Sequence, residues 1–422
     1  MSKRWMPLDN AALIFPAVRR SNWTNVFRVS ATLKDQIDPA VLQQAANDLM
    51  PRFPSMYVRL RRGLFWYYLE EIAEPLQVRE DFAYPLTHMG QKEVSRCGLR
   101  VFYYQNRLAV EMFHSLTDGT GGMVFLKTLV ARYLTLKYGV GIPCTDGVLD
   151  YTQTPTAEEL EDSFPKHASR YAMSRKEPTA FRLSGTREQG FLHLTTGVVS
   201  TAALTEQAHA HGATVTVFLS AVMAQVILEM QAEHTALRHQ KPVKITVPVN
   251  LRRLYDSRTL RNFVLALNPG VDPKFGSYTL DDLCRAISSQ LIAEATPQQM
   301  AGRIAANVKP QQTPALKIAP LFVKNLAMRL VYASIGERKG CLNVSNLGRQ
   351  TLPDAMLPFV ARLEFIVGVQ STYPNNCAVA TLGDVTCINM IRNIRESELE
   401  RRFFSRLVEL GLAVDIEANQ RR

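Results

Sequence analysis

Apolar and polar residues alternate over 25–33, NVFRVSATL, with the two-residue period of a strand that buries one face. Asp38 then stands as a helix N-cap, with Pro39 at the first helical position of PAVLQQAANDLMPRF, where a fixed φ and a missing amide cost nothing. Two hairpins are predicted next. SMYVRL and LFWYYLE flank a turn at Arg61-Arg62-Gly63, and LRVFYY and RLAVEMF flank Gln105-Asn106. The second hairpin delivers the chain to His114. Beyond it, the spacing of Met123, Leu126, Leu129, Val130 and Tyr133 predicts a helix from Gly119 to Tyr138.

Between Gly139 and Gly190 the periodicity lapses. Prolines 143, 155, 165 and 178 and many charges mark a connector, with one short helix capped by Thr156 and Glu159. The second half resumes with a strand at 191–199, helices near 201–211 and 214–231, and strands VKITVPV and FVLALN. Two or three helices follow over 279–335, then CLNVSNLG as strand and turn, and strands near 363–370, 377–382 and 385–391, the last two joined at Gly383-Asp384. ESELERRFFSRLVELGL closes the chain as a helix. Helices and hairpins mix throughout, which predicts two α+β lobes with mixed sheets rather than a doubly wound nucleotide fold. We read residues 1–150 as the first lobe, 151–190 as a linker crossing the surface between lobes, and 191–422 as the second lobe.

Composition narrows the partners. A net charge of +11 favours anionic ones, but the arginines are dispersed among aliphatic residues and no nucleic-acid-binding motif accompanies them. A phosphate-bearing ligand or an acidic carrier fits the charge at least as well as a nucleic acid. Six cysteines (97, 144, 284, 341, 377 and 387) form no CxxC pair and no zinc spacing, so buried thiols in a reducing, cytoplasmic setting are expected, with no metal. The apolar run 11–18 is short and preceded by Asp9, a poor signal-peptide core. Val215 to Leu228 contains Gln225 and is too short to span a bilayer, so no transmembrane segment is expected.

The chemistry concentrates in AVEMFHSLTDGTGGMVFLKTL. Of eight histidines, 88, 167, 209, 211, 234 and 239 have unremarkable settings and His193 is ambiguous in a predicted strand. His114 alone ends a strand and meets an acidic turn. Its imidazole is suited to accepting a proton near neutral pH and returning it. Asp118 is placed to lock the loop or cap the helix, while Gly119 and Gly121-Gly122 permit close approach of backbone or ligand. The helix that starts here also directs its amides at this region. Ser115 lacks the GxSxG setting of a hydrolase nucleophile, GTGG lacks the lysine of a phosphate loop, and no HExxH occurs.

HSLTDG fits the HxxxDG motif, and the chain resembles the acyltransferase superfamily of chloramphenicol acetyltransferase, plant alcohol acyltransferases, wax ester synthases and peptide-synthetase condensation domains. The motif follows a hairpin strand about a quarter of the way along. VPVNLRRLYDSRTLRNF resembles the family segment in which a strand ends in Val-Asn-Leu-Arg with an Asn-Phe or Gly-Asn pair downstream, and NVSNLGRQTLP resembles the Ser-Asn turn of wax ester synthases and bacterial alcohol acetyltransferase-like proteins. The likeness spans nearly the whole chain. Phe113 stands where condensation domains carry a first histidine, which resembles the single-histidine acyltransferases and speaks against peptide-bond formation. The plant DFGWG motif is absent, with SNLG in the corresponding late region.

The resemblance implies two chloramphenicol acetyltransferase-like lobes with a tunnel between them, entered by a donor thioester from one face and an acceptor from the other. It implies that His114 deprotonates the acceptor and then protonates the leaving thiolate. Asp118, beside Gly119, is structural and pairs with Arg252, an ion pair expected to be buried and bidentate. Ser345 and Asn346 either help hold the oxyanion or form a turn in the tunnel wall. Acyl-CoA is then a co-substrate, no cofactor is permanently bound, and the acceptor is an alcohol or lipid-like hydroxyl. Two alternatives stand beside this one. The donor is an acyl carrier protein docking on Arg329, Arg338, Lys339 and Arg349, unless these form only a solvated basic face. Or the chain is a silent, partner-binding relative, which the intact His114, Asp118 and Arg252 set opposes.

Overall fold

The computed structural model describes residues 4–18, 25–173, 177–335, 338–370 and 373–419. Two large sheets organise it. The first has five strands in the order Val360–Val367, Val26–Leu33, Arg107–Phe113, Leu99–Tyr104 and Arg79–Glu80, antiparallel except for the last pair. The second runs Val264–Leu267, Val243–Asn250, Leu342–Gln350, Asn375–Leu382, Val385–Arg392, His193–Ser200 and Asp415–Ala418, with Gly270–Val271 as a further partner of Val243–Asn250. Leu342–Gln350 lies parallel to both of its neighbours, so this sheet is mixed. The fold is thus α+β with two lobes. Val360–Val367, from within 191–422, completes the first sheet rather than the second and ties the lobes together.

Local chemistry sets most of these elements. Asp38 accepts from the amides of Ala40 and Val41, as an N-cap does, but the helix stops at Asp48 because Pro51 cannot continue it. Asp118 caps the helix Gly119–Tyr138, and Gly139, at φ 69°, ends it. That helix buries Phe125, Leu126, Leu129, Tyr133 and Leu134 against the first sheet. In the first hairpin Arg62 pairs with Tyr67, so the turn is Gly63 to Trp66, later than expected. Its strands join Trp5–Pro7 in a small third sheet.

The helix Val215–His234 is longer than the apolar run in the sequence indicated. At 20 residues it is long and apolar enough to cross a membrane by those measures alone. Here Phe218, Leu219, Val222, Met223 and Ile227 fill the second core instead. Residues 280–335 hold four helices, Leu280–Glu294, Pro297–Gln312, Pro314–Ile318 and Leu321–Ile335. The segment 151–190 touches both halves. Arg52 binds Glu159 at 2.6 Å, the Phe181 amide donates to Pro242, and Arg187 bridges to Ile394.

Candidate active site

The pairing of strand Arg107–Phe113 with the sequence-distant strand Val26–Leu33 brings Phe113 opposite Val26, and the His114 amide then donates to the Asn25 carbonyl at 2.8 Å. The ring stacks on Phe15, centroids 4.4 Å apart, and meets the edge of Phe27 at 5.2 Å. Its Nδ1 lies 3.1 Å from Asn262 Oδ1. The amide orientation of Asn262 is assigned by its other contacts, because Nδ2 donates to the His114 carbonyl at 3.0 Å and to Asp9 Oδ2 at 3.1 Å. Asn262 Oδ1 is therefore an acceptor, Nδ1 carries the imidazole proton, and Nε2 carries the lone pair. Burial pushes the His114 pKa below its ordinary value, opposed by a bond to its own backbone, the Asp118 and Asp9 charges, and Asn262. A neutral ring with a basic Nε2 results.

Asp118 is a four-way junction. Oδ1 accepts from the amides of Thr120 and Gly121, at 3.1 and 3.2 Å. Oδ2 accepts from Arg252 Nη1 at 2.8 Å and from the Phe263 amide at 2.9 Å. The ion pair is buried and crosses the lobes, but it is not bidentate, because capping the helix occupies one carboxylate oxygen. The same capping takes up the amides of Thr120 and Gly121, so those two are not free to hold a substrate anion. Arg252 donates from Nε to the Thr259 carbonyl at 2.7 Å and from Nη2 to that of Arg261. It thereby fixes the strap that carries Asn262. Gly119 allows contact between lobes, since a Cβ there would sit 2.9 Å from both Leu347 and Phe365. At Gly121 a Cβ would sit 2.5 Å from the Leu260 carbonyl oxygen, a backbone atom that cannot swing aside.

A cavity of about 550 Å³ opens between the lobes. Phe27, His114 and Phe365 line it from the first, and Asn250, Ser345 and Leu347 from the second. It is not the largest hollow, because a groove around Glu74, Arg79, Arg96 and Arg100 measures about 690 Å³, but that one is lined by charges and lies away from His114. Ser345 and Asn346 lie within the strand Leu342–Gln350 rather than in a turn. Gly348, at φ 72°, permits a bulge between Asn346 and Arg349 where a turn was expected. Asn346 is engaged at both ends of its amide, donating to Thr216 Oγ1 at 3.1 Å and accepting from the Gly348 amide at 2.7 Å.

Arg253 is the one arginine or lysine among the described lining residues. Of the four basic residues considered for docking, Arg329 donates to the Ala17 carbonyl at 2.7 Å and Lys339 lies 3.7 Å from Glu177, while Arg338 and Arg349 are exposed. His193 is paired with Glu188 at 2.8 Å. Among the described residues no cluster suited to a metal ion occurs. Asn262 and Asp9 had no assigned role in the sequence reading. Only the Asn-Phe pair of LRNF pointed near the first, and Asp9 stood out there only as a charge before a short apolar run.

No protein-family model matches the chain, and no curated protein matches it by sequence. Solved structures do match in fold. F. graminearum TRI101, complexed with ethyl coenzyme A, superposes with a TM-score of 0.64 at 10% identity, over 98% of this chain and 100% of that one. The starter condensation domain of rhizomide synthetase RzmA, in complex with C8-CoA and Leu-SNAC, gives 0.61 at 13% identity, over 96% of this chain and 94% of that one. The wax ester synthase/diacylglycerol acyltransferase from Marinobacter aquaeolei VT8 gives 0.58 at 12% identity, over 96% of this chain and 100% of that one. The chain therefore has the two-lobed fold of the chloramphenicol acetyltransferase-like acyltransferases.

Proposed function

We propose that the protein is an acyltransferase that moves an acyl group from a coenzyme A thioester to a hydroxyl acceptor, with His114 as general base and acid. The observation that carries this reading is the Asn262 bond to His114 Nδ1, which leaves a basic Nε2 on a ring lining an inter-lobe cavity. In the first step Nε2 takes the acceptor's proton while the hydroxyl oxygen forms a bond to the thioester carbonyl carbon. The carbonyl oxygen becomes an oxyanion. Its collapse breaks the carbon–sulfur bond, and Nε2–H protonates the leaving thiolate, giving an ester and free coenzyme A. The Ser345 hydroxyl, on the same cavity, is our candidate donor to the oxyanion, a role that contributes roughly 3 kcal/mol where it is filled. Asn346, the next residue, holds the bulge that follows it. The exposed guanidinium of Arg253 offers counter-charge to the donor's phosphates. The fold shared with proteins solved bound to coenzyme A or an acyl-CoA supports the donor class.

Assaying purified protein for free thiol release, over a panel of acyl-CoAs and alcohols, tests the reading. Alcohol-dependent thiol release matched by ester formation is expected. Its absence across the panel, or equal release by a folded His114→Ala protein, would overturn it.

A further inference from the structure

The helix Leu321–Ile335 buries Leu321 and Lys324 but turns Phe322, Leu326 and Leu330 outward, a stripe at i, i+4 and i+8. The chain around it extends that stripe. The Leu321 amide donates to the Leu64 carbonyl at 2.9 Å, Lys324 Nζ donates to the Phe65 carbonyl at 3.0 Å over the Trp66 ring, and Asn325 Nδ2 donates to the Tyr67 hydroxyl at 2.9 Å. These bonds seat the hairpin tip beside the helix, so Leu64 and Phe65 join Ile318, Phe322, Leu326 and Leu330 on one face. Their exposures run from 40% to 74%. Large apolar side chains gathered on one such face mark a surface that something covers.

Charge indicates what covers it. From Ala295 to Ile335 the sequence carries Arg303, Lys309, Lys317, Lys324 and Arg329 and no Asp or Glu. Lys317 is exposed beside Ile318, and Arg62 is exposed at the hairpin tip. An exposed apolar stripe with Arg62, Lys317 and Arg329 exposed near it, on a helix of 15 residues, fits the boundary of an anionic bilayer and is too short to cross one. Arg303 and Lys324 are buried, so the exposed cations near this face are Arg62, Lys317 and Arg329, few beside six exposed apolar side chains. Burial of apolar surface, with charge as a supplement, suits a lipid boundary better than an acidic protein.

The face is also joined to the cavity. Its helix packs on the short helix Ile14–Ala17, where Arg329 donates to the Ala17 carbonyl and Phe15 stacks on His114. The Tyr332 hydroxyl lies 3.3 Å from Oε1 of Gln370, a lining residue of the cavity. We propose that this face docks on an anionic lipid surface and that the hydroxyl acceptor, a long-chain alcohol or hydroxyl lipid, reaches His114 from that surface. The second half of this statement rests on the acyl-transfer reading above; the first does not.

Co-sedimentation with vesicles tests the docking, using phosphatidylcholine alone and phosphatidylcholine mixed equally with phosphatidylglycerol. The wild type is expected to sediment with the mixed vesicles, and less so with neutral ones or at high salt. A Phe322→Glu/Leu326→Glu variant, whose changes lie on exposed positions, should keep its melting temperature and lose binding by about tenfold or more. No sedimentation of the wild type, or equal sedimentation of the variant, overturns the proposal. So does a wild-type dimer that this variant converts to a monomer without any vesicle binding, since a second copy then covers the face. Thiol release with a short soluble alcohol should match in both proteins, while release with a long-chain alcohol held in vesicles should fall about tenfold in the variant, in step with binding. Equal rates on the vesicle-held alcohol overturn the acceptor route. If no alcohol supports thiol release but the variant still loses vesicle binding, the docking stands and the acyl-transfer reading falls.

Discussion

Two buried systems of charge sit within a few residues of each other in this chain, and they do different things. In the first sheet, Arg28, Glu111 and Arg100 face one another across three adjacent strands. Arg28 binds Glu111 at 2.7 Å and Asp81 at 2.5 Å, and Arg100 binds Glu111 at 2.9 Å and Glu93 at 2.5 Å. Every partner lies on one lobe, and the network sits on the face of the sheet opposite Phe27, which lines the cavity. Asp118 and Arg252, by contrast, join residues 134 apart and hold a strap from the second lobe against the motif loop of the first. Both systems are as well bonded as buried charges must be. The difference is that only the second fixes Asn262, and through it His114. Burial and pairing make a charge structural; the segment it anchors decides whether the chemistry depends on it.

The largest effect should come from the group that the second system serves. Replacing His114 with Ala is expected to lower acyl transfer by on the order of a hundredfold to ten-thousandfold, read as thiol release by protein with an unchanged circular dichroism spectrum. The two networks can then be set against each other. Asp118→Ala strands Arg252 and should lose roughly 3–5 kcal/mol in denaturant unfolding, whereas Glu111→Ala leaves Arg28 on Asp81 and Arg100 on Glu93 and should lose less. Activity per folded molecule should separate them, falling with Asp118→Ala and holding with Glu111→Ala. Equal losses of activity from both would erase the distinction drawn here.

That distinction was only partly legible in the sequence. The strand into His114 and the helix Gly119–Tyr138 were readable because caps, turn residues and apolar spacing act over a few neighbours. The Asp118–Arg252 pair came from motif resemblance, since no local rule joins residues so far apart. Asp9 and Asn262 meet across 253 residues and could not be paired from either end. Short strands escaped for another reason. Asp415–Ala418 alternates for only four residues and is exposed throughout, and Trp5–Pro7 is three residues long, so both are too short for a strand period to stand out. The bulge at Gly348 read as a turn because a glycine at positive φ serves both.

The third effect concerns the link between strap and base. Asn262→Ala removes the acceptor at Nδ1 and frees the imidazole to take the other tautomer, which should lower kcat by roughly tenfold to a hundredfold. Stability should change less than in Asp118→Ala, because Asp118 and Arg252 still close the strap. A purely structural asparagine would lower the amount of folded protein and leave kcat per folded molecule alone.

The smallest effect is a displacement on the pH axis, and its sign follows from the same geometry. In the proposed acyl transfer His114 acts as a base only when neutral, so kcat/KM should fall on the acid side as the ring takes up a proton. Burial disfavours that proton, placing the folded-state pKa below the ordinary imidazole value. The acid limb of the wild type should therefore have its midpoint below about pH 6.5. The Asn262 bond acts in the opposite direction, steadying the protonated ring. In Asn262→Ala that support is gone, so the midpoint should move further down while the plateau falls. A midpoint that stayed put or moved up would mean that Asn262 does not bond the ring in the working enzyme. The cross-lobe system would then be no closer to the chemistry than Arg28 and Glu111 are.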